Sequence, residues 1–217
     1  RYTVTFNGEI YNYLDLLQEL IKKGYLFKSD THTEVLLYSY VEWKEACLDK
    51  FNGMFAFALW DEQEQILFAA RDKVGEKPFK YFFNGEAFVF ASEVKAILSH
   101  EDVAREVDWG AVDEALSFRF VPAPATGFAT IKKLPAGHYL IWKEGKITLQ
   151  QYWYPERITV DAGLSLAGVK DQLWSVFLDS VLLRLISDVP VGAFLSSGID
   201  SSSIVAALAE LKSGPIE

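Results

Sequence analysis

The hydrophobic residues repeat at every second position in two regions, which is the pattern of β-strands. Residues 2–6 alternate apolar and polar and predict a strand that breaks at Asn7-Gly8. From residue 53 the alternation returns with many aromatic residues, in the segments MFAFALWD, QILFAARD and KYFFNGEAFVFASE. The gaps between these segments are short and hairpin-like, so the sequence predicts an antiparallel sheet over residues 53–92.

A helical period of three to four residues is found elsewhere in the chain. It predicts a helix over residues 12–24, with Asn12 as the N-cap and Gly24 as the C-terminal stop. Two more helices are predicted over residues 33–44 and 109–118. A longer helix is predicted to begin near residue 164, with an apolar face formed by Leu166, Val169, Leu173, Phe177, Val181 and Leu185.

The composition changes near residues 99–108, where aromatic residues become rare and charged residues increase. This change predicts two domains, residues 1–104 and residues 105–217. The second leads through its long helix to a strand at residues 191–195, a glycine- and serine-rich loop and a final helix. We therefore expect an α+β first domain of antiparallel sheets and helices, followed by the start of an α/β domain.

Composition and charge exclude several classes of protein. The chain has 217 residues, half of them hydrophobic, which is enough for a sizeable core. A formal charge of −9 argues against nucleic acid as a partner, and no apolar run reaches the roughly 18 residues that a membrane helix needs. Cys47 is the one cysteine, which excludes a disulfide framework and fits a reducing cytosol. The first residue is Arg1, so we expect a piece of a longer protein.

The segment SSGIDSS, residues 196–202, has the composition of a phosphate-binding loop. A helix N-terminus offers unpaired N–H groups, serine hydroxyls add donors, and Gly198 permits close approach of the backbone to an anion. The loop contains no lysine, so Asp200 would hold Mg²⁺ against polyphosphate oxygens. From the residues alone, an equally good interpretation is that Asp200 and the serines only cap the last helix.

Longer segments resemble one family of enzymes. The loop SSGIDSS is similar to the Ser-Gly-Gly-X-Asp-Ser loop of the ATP-pyrophosphatase family. The glutaminase domain of glutamine-hydrolysing asparagine synthetase is similar to FNGEIYNYLDLLQEL and GMFAFALWDEQEQILFAARDKVGEKPFKYFF. The start of that family's synthetase domain is similar to FVPAPATGFATIKKLPAGHYL and SDVPVGAFLSSGIDSS. The resemblance implies a partial N-terminal-nucleophile hydrolase domain that frees ammonia from glutamine, and part of a domain that adenylates aspartate with ATP.

The resemblance also implies roles for residues of the glutamine site. Asn7 and Gly8 would form the oxyanion hole for the amide carbonyl, and Glu9 would meet the α-amino group of glutamine. His32 stands where the family has an aspartate that also holds the α-amino group. A histidine does not supply that negative charge, so either Asp30 moves into the pocket or glutamine binding is weaker.

Other residues with reactive side chains are expected to be structural. The family's nucleophile is an N-terminal cysteine, and Cys47 lies in an amphipathic helical pattern, so we expect Cys47 to be a core thiol and the chain alone to be inactive. His100 and His138 lack the spacing of metal ligands. The segment from Arg71-Asp72 to Lys77-Pro78 is expected to be a turn with a buried ion pair.

The resemblance also implies that one stretch of the loop binds ATP and its pyrophosphate part. The residues concerned are Leu195, Ser196, Ser197, Gly198, Asp200 and Ser201, with Asp200 as the Mg²⁺ ligand. Ser197 departs from the family's first glycine and narrows the space for the backbone to approach the anion.

Three hypotheses for the function remain open at this point. The first is an asparagine synthetase that uses glutamine, aspartate and ATP with Mg²⁺, located in the cytoplasm and, as is common in the family, a homodimer. The second is a related adenylating enzyme of the β-lactam synthetase or peptide cyclase type. The third is a non-catalytic fragment.

Overall fold

A computed structural model describes residues 1–160, 163, 165–187 and 189–211. The chain forms two compact units, Arg1–Arg157 and Ile158–Glu217. This division falls later than the boundary predicted near residue 104. The reason is that strands within residues 138–151 pair with the sheet of the first unit and complete it.

The described residues form eight strands and seven α-helices. The strands are β1 (Tyr2–Ile10), β2 (Gly53–Asp61), β3 (Ile66–Arg71), β4 (Lys80–Phe83), β5 (Phe88–Ala91), β6 (Ile131–Lys133), β7 (His138–Lys143) and β8 (Lys146–Gln151). The helices are α1 (Tyr13–Lys22), α2 (His32–Trp43), α3 (Cys47–Lys50), α4 (Val94–Ile97), α5 (Trp109–Phe118), α6 (Leu166–Leu183) and α7 (Ile199–Leu211).

The strands of the first unit form two antiparallel sheets. The larger sheet has the order β1-β2-β3-β7-β8, and the smaller has the order β5-β4-β6. The sequence predicts one antiparallel sheet over residues 53–92. The strands do pair antiparallel, but β2–β3 belongs to the larger sheet and β4–β5 to the smaller, so the single sheet is wrong. The α+β class of antiparallel sheets with helices is therefore confirmed for this unit.

The alternation of large and small residues in β2 explains how the layers stack. Phe55, Phe57 and Leu59 point to the side of helices α1 and α2 and form one core with them. Ala56 and Ala58 point to the other side and pack against residues at the smaller sheet. Small side chains on that face let the two sheets approach each other closely. On the helix side, burial of each large side chain contributes about 2 kcal/mol to stability. The other face of the smaller sheet packs on α4, which gives four layers in the order helix, sheet, sheet, helix.

The second unit consists of α6 and α7 among its described residues. They pack through a small core of Val181, Ala207 and Leu208. Residue 164, near which the long helix is predicted to begin, lies outside the described residues. The strand predicted at residues 191–195 is not formed, because the described part of this unit has no other strand with which it could pair. Within the described residues, no helix is long and apolar enough to cross a bilayer.

A buried carboxylate at the β2–β3 turn carries a prediction about stability at low pH. Asp61, 1% exposed, pairs with Arg1 at 2.9 Å and accepts the Gln63 N–H at 3.0 Å. The Arg1 hydrogen bond is the main reason why the pKa of Asp61 falls from its ordinary 3.8 to about 2. A depressed carboxylate pKa stabilises the fold above the unfolded-state value, and that contribution is lost as the pH falls through the folded value.

We expect Asp61→Asn to lower the free energy of unfolding by about 2 kcal/mol at pH 7. The difference from wild type should shrink between about pH 4 and pH 2, because the wild-type carboxylate is then protonated too. Urea unfolding at several pH values measures both effects. Glu64→Gln, at an exposed position of the same turn, serves as the control and should change little. A difference that stays constant down to pH 2 would contradict the assignment.

Candidate functional site

The sequence predicts that the first strand breaks at Asn7-Gly8. In the structure β1 continues to Ile10, so Asn7 lies inside the strand. Among the strands that the structure describes, β1 lies at the edge of the larger sheet and pairs with β2 alone. The Asn7 amide donates from Nδ2 to Ser92 Oγ at 3.3 Å. Asn7 and Ser92 also line a cavity of about 130 Å³, bordered by β1, β2 and β5. The side-chain amide of Asn7 therefore faces a space that admits a small polar group.

Gly8 occupies a position that only glycine fits. Its φ is +148°, and a Cβ built there would lie 2.1 Å from the backbone oxygen of Met54 on β2. Two residues later, the Ile10 N–H points away from β2, since it donates to His32. N–H directions alternate along a strand, so the N–H of Gly8 is expected on the same free edge. A free-edge N–H beside the Asn7 amide would give two neutral donors, which is the equipment of an oxyanion hole.

Glu9 and His32 are brought into contact across 22 residues of chain. His32 Nδ1 lies 2.9 Å from Glu9 Oε2 and 3.1 Å from the Ile10 nitrogen. The His32 ring packs against the Tyr13 ring in a tilted arrangement, with centroids 4.0 Å apart. Asp30 is exposed, so His32 and not Asp30 is the residue that meets Glu9. A carboxylate on this edge can bind a primary ammonium group.

Ser92 is a residue of this site that the sequence analysis did not identify. Its hydroxyl accepts the Asn7 hydrogen bond, and its backbone oxygen accepts one from Lys80 Nζ at 2.6 Å. Burial is the main cause that lowers the pKa of Lys80. A serine directly after a strand is typical of a turn, and no local pattern connects position 92 with position 7.

Cys47 is a core thiol, as expected, and the two isolated histidines make local contacts. Cys47 is fully buried in the core of the first unit, and burial raises the pKa of its thiol. His138 Nδ1 lies 2.8 Å from the Ala136 carbonyl oxygen. His100 sits at an exposed turn beside Asp102. Among the described residues, no group of three or more histidine, cysteine, aspartate or glutamate residues could hold a metal ion.

The sequence predicts a turn with a buried ion pair after β3. The turn is present, but Arg71 and Asp72 do not form an ion pair in it. Arg71 donates to three backbone oxygens, those of Lys77, Leu134 and Gly75, at 2.7–2.9 Å. Asp72 is fully buried and accepts four backbone N–H groups, those of Phe55, Val74, Glu76 and Lys77. Adjacent residues at a strand end point in opposite directions, so each side chain binds backbone and not the other.

The predicted phosphate loop is closed by its own hydrogen bonds. Ser196 Oγ accepts the Gly198 N–H at 3.1 Å and lies 2.8 Å from Ser201 Oγ. Ser202 Oγ donates to the Gly198 carbonyl at 2.9 Å. Helix α7 begins at Ile199, so Asp200 and Ser201 lie in its first turn, while Leu195 just before the loop is 64% exposed. The loop residues are gathered at one helix N-terminus, as both interpretations of the sequence require.

Taken with the residues that the structure describes, Asp200 suits a metal that brings other ligands. Its side chain borders a cavity of about 310 Å³ that is also lined by Leu173, Trp174 and Phe177. Mg²⁺ is held in proteins by one or two carboxylates together with substrate phosphates and water. A carboxylate at a helix N-terminus fits that arrangement, and within the described residues Asp200 belongs to no group of three or more side chains that could hold a metal by themselves.

Comparison with known proteins gives a consistent result for both units. The family model described as glutamine amidotransferase domain matches residues 1–153, and the one described as asparagine synthase matches residues 172–217. Glutamine phosphoribosylpyrophosphate amidotransferase from B. subtilis, solved with ADP and GMP, is 19% identical and aligns with a TM-score of 0.49 over 96% of this chain and 43% of its own. A likeness that loose adds nothing to the fold described above.

Two relatives from Bacillus subtilis (strain 168) are similar along almost all of this chain. Asparagine synthetase [glutamine-hydrolyzing] 3 is 44% identical over 208 residues, which are 94% of this chain and 33% of the relative. Asparagine synthetase [glutamine-hydrolyzing] 1 is 41% identical over 213 residues, which are 96% of this chain and 33% of the relative. This chain thus spans about a third of the length of these curated relatives. On the match over residues 1–153, the chain belongs to the glutamine amidotransferase domain family.

Proposed function

We propose that this protein takes part in the ATP-dependent synthesis of asparagine from aspartate, with glutamine as the nitrogen donor. The chain carries part of the glutamine site and part of the ATP site. The observation that supports this most is the placement of Asn7, Gly8 and Glu9 along the free edge of one strand, with His32 against Glu9. Location in the cytoplasm and a homodimer belong to the same proposal, since the resemblance implies both.

The glutamine half of the proposal assigns one task to each residue on the edge of β1. The Asn7 amide and the Gly8 N–H donate hydrogen bonds to the amide oxygen of glutamine as it gains negative charge. Fixed donors of this kind are stronger in a cavity than in water, and loss of one typically lowers a rate by roughly 10²–10³. Glu9 binds the α-ammonium group. Cys47 is buried, so the proposal gives this chain the binding and polarising groups and not the attacking thiol.

The ATP half of the proposal rests on the start of α7. Ser196, Ser197, Gly198 and Ser201 would hold the pyrophosphate part of ATP at the helix N-terminus, where backbone N–H groups favour an anion. Leu195 would contact the nucleotide, and Asp200 would hold Mg²⁺, which neutralises phosphate charge when it is bound. In the free loop the serine hydroxyls bond to each other and to Gly198. Binding of pyrophosphate would exchange these internal hydrogen bonds for bonds to phosphate oxygens.

Titration with L-glutamine tests the glutamine half on this chain directly. In the ¹⁵N-labelled chain, we expect saturable shifts of the Gly8 amide and of the Asn7 side-chain amide. Asn7→Ala should weaken binding by about 3- to 10-fold, because one neutral hydrogen bond is lost. Thr3→Ala, at an exposed position on the same strand, is the matched control and should bind like wild type. Absence of shifts at Gly8 and Asn7 in wild type would refute the proposed site.

A second candidate function is a related adenylating enzyme of the β-lactam synthetase or peptide cyclase type. The observation in its favour is His32, which stands where the family's glutaminase has an aspartate. Formation of AMP and pyrophosphate by a longer protein that contains this chain separates the two candidates, since the chain alone is expected to be inactive. An asparagine synthetase releases both only when aspartate is added, whereas the second type of enzyme does so with a different carboxylic acid.

A further inference from the structure

Strand β1 has a long free edge with none of the features that keep sheet edges from pairing. Its nine residues, Tyr2–Ile10, all pair in register with β2, so no bulge bends the strand away from a neighbour. It contains no lysine and no proline. Among the other described edge strands, β5 has four residues, β6 has three with Lys132 and Lys133, and β8 begins with Lys146. β1 is therefore the edge best suited to receive a further strand.

The backbone groups of β1 alternate between β2 and this free edge. At one end the Tyr11 N–H donates to Asn52 O at 2.7 Å. At the other end Arg1 O accepts the Glu62 N–H at 2.9 Å. Odd-numbered positions therefore face β2, and because the directions alternate, the N–H and C=O groups of positions 2, 4, 6 and 8 face the free edge. These groups form a row of donors and acceptors for another strand.

His32 ends this row at Ile10. Its Nδ1 accepts the Ile10 N–H at 3.1 Å, so the outward N–H of position 10 already has a partner. His32 is also the first residue of α2, so the start of this helix stands beside that end of the edge. A strand that pairs with β1 can therefore use the outward groups from Tyr2 to Gly8, and it must end near Glu9.

We propose that β1 pairs antiparallel with β1 of a second copy of this chain, about a two-fold axis at Thr5. A two-fold axis presents the same edge from both copies and closes after two, and strand addition is stabilised by main-chain hydrogen bonds. In this register Tyr2 of one copy lies opposite Gly8 of the other, and Val4 lies opposite Phe6. Each such pair of residues exchanges two hydrogen bonds. The inference goes beyond the proposed function and does not depend on it.

The charges of β1 and of the residue before it are self-complementary in this register. Arg1 of each copy lies opposite Glu9 of the other, so opposite charges meet at both ends of the interface. The two side chains are 42% and 44% exposed, which leaves both accessible to a second copy. Asp61 binds Nε and Nη2 of Arg1, so Nη1 remains for a second carboxylate. At the axis the exposed Thr5 meets its own copy, and no like charges lie opposite each other.

The neighbouring registers fit less well. A shift of two positions in one direction needs the outward N–H of Ile10, which His32 already accepts. A shift of two positions in the other direction places Arg1 opposite Asn7 and so separates the opposite charges. A shift of one position sets the outward groups of one copy against groups that the other copy directs to β2. The pairing about Thr5 is therefore the register that both the backbone and the charges favour.

Pairing through this edge and binding of glutamine would exclude each other. In the pair, the Gly8 N–H donates to Tyr2 O of the second copy, whereas in the proposed glutamine site it donates to the amide oxygen of the substrate. A single N–H has one proton to donate, so it serves one of the two acceptors at a time. The paired form would thus be an autoinhibited form of the glutamine site, and the homodimer named with the proposed function would use a different surface.

Sedimentation equilibrium and amide hydrogen exchange test the pair on this chain. As the concentration rises, we expect the mean mass to rise from 24.5 kDa towards twice that value and to stop there. Over the same range, exchange at the N–H groups of positions 4, 6 and 8 should slow, whereas positions 3, 5 and 7 are protected by β2 throughout. A mass that stays at 24.5 kDa, grows beyond two copies, or rises without this alternating protection would overturn the proposal.

Charged variants at the axis locate the interface. Thr5→Lys and Thr5→Glu each place like charges opposite each other, and each should weaken the pair about tenfold. An equal mixture of the two variants should restore pairing, because lysine then lies opposite glutamate, and this restoration also shows that both variants fold. Thr148→Lys, at an exposed position of the β8 edge, is the matched control and should pair like wild type. Failure of the mixture to pair, or equal weakening by Thr148→Lys, would overturn the proposal.

Addition of L-glutamine separates this inference from the proposed function. Dissociation of the pair by glutamine supports both. A pair that persists in glutamine, with the Gly8 amide unmoved, supports the inference and counts against the proposed glutamine site. A chain that stays monomeric at every concentration while its Gly8 amide shifts with glutamine would overturn the inference and leave the proposed function intact.

Discussion

Replacing Asp72 with alanine is expected to lower the free energy of unfolding of the first unit by roughly 4 kcal/mol. The Asp72 carboxylate is fully buried and accepts four backbone N–H groups at 2.9–3.2 Å. Alanine offers no acceptor, and the N–H of Phe55 lies in the interior, where water does not replace the lost bond. An unsatisfied buried N–H costs about 1–3 kcal/mol, so several together remove a large part of the stability of a domain.

Urea unfolding followed by tryptophan fluorescence measures this effect. Five of the six tryptophans lie in the first unit, so the signal reports mainly on it. Asp72→Asn should lower the free energy of unfolding somewhat less than Asp72→Ala, because the amide keeps one oxygen acceptor. It should still be destabilising, because its NH₂ faces N–H donors. Asp113→Ala, at an exposed position of α5, should stay within about 0.5 kcal/mol of wild type. Equal losses for the buried and the exposed aspartate would contradict this account.

The same turn connects stability with the candidate glutamine site. The turn of residues 72–77 is stabilised by hydrogen bonds from its backbone to Asp72 and to Arg71. It leads directly to Pro78 and Phe79. Both of these line the cavity that Asn7 faces. Partial opening of the turn should therefore broaden the resonances of Asn7 and Ser92 before the sheet itself unfolds.

Helix positions are predictable from this sequence where a local pattern determines them. The helix predicted at residues 109–118 is observed as α5 over the same residues, and that at 33–44 as α2 over His32–Trp43. The local pattern did not predict correctly what the Asn12 side chain binds. Asn12 stands at the N-cap position but its side chain caps nothing and instead bonds Lys50 O and the Asn52 N–H, residues 38 and 40 positions away. Partners that distant have no trace in the local sequence.

The second unit shows a different limit. The period of apolar residues predicts α6 correctly, yet of the six residues on its predicted core face only Val181 is buried. Periodicity indicates which face is apolar, but not what covers it. The candidate site behaves similarly, since the motif around Asn7 and Glu9 indicates their chemistry but not the contacts with Ser92 and His32, which depend on how the sheets and helices pack.

Replacing Gly8 with alanine is expected to be the most damaging single change on β1, with a loss of roughly 4 kcal/mol or more. Two separate penalties combine at this position. The φ of +148° is one that residues with a Cβ rarely adopt. The added Cβ would also lie 2.1 Å from Met54 O and 2.7 Å from Phe55 Cα. Both are backbone atoms of β2, so relief requires opening of the β1–β2 pairing and not a side-chain movement.

Two other glycines of the first unit separate these penalties. Gly24 has φ +95° and no atom within 4 Å of the position that a Cβ would take, so Gly24→Ala should show the backbone penalty alone, about 1–2 kcal/mol. Gly53 is not in the positive-φ region, but its Cβ would lie 2.1 Å from Glu9 O, so Gly53→Ala should show the clash alone. Urea unfolding of the three variants should rank the losses in the order Gly8, Gly53, Gly24. A Gly8 loss no larger than that of Gly24 would mean that β1 and β2 can separate at little cost, and the free edge that carries Asn7 and Glu9 would then not be a rigid one.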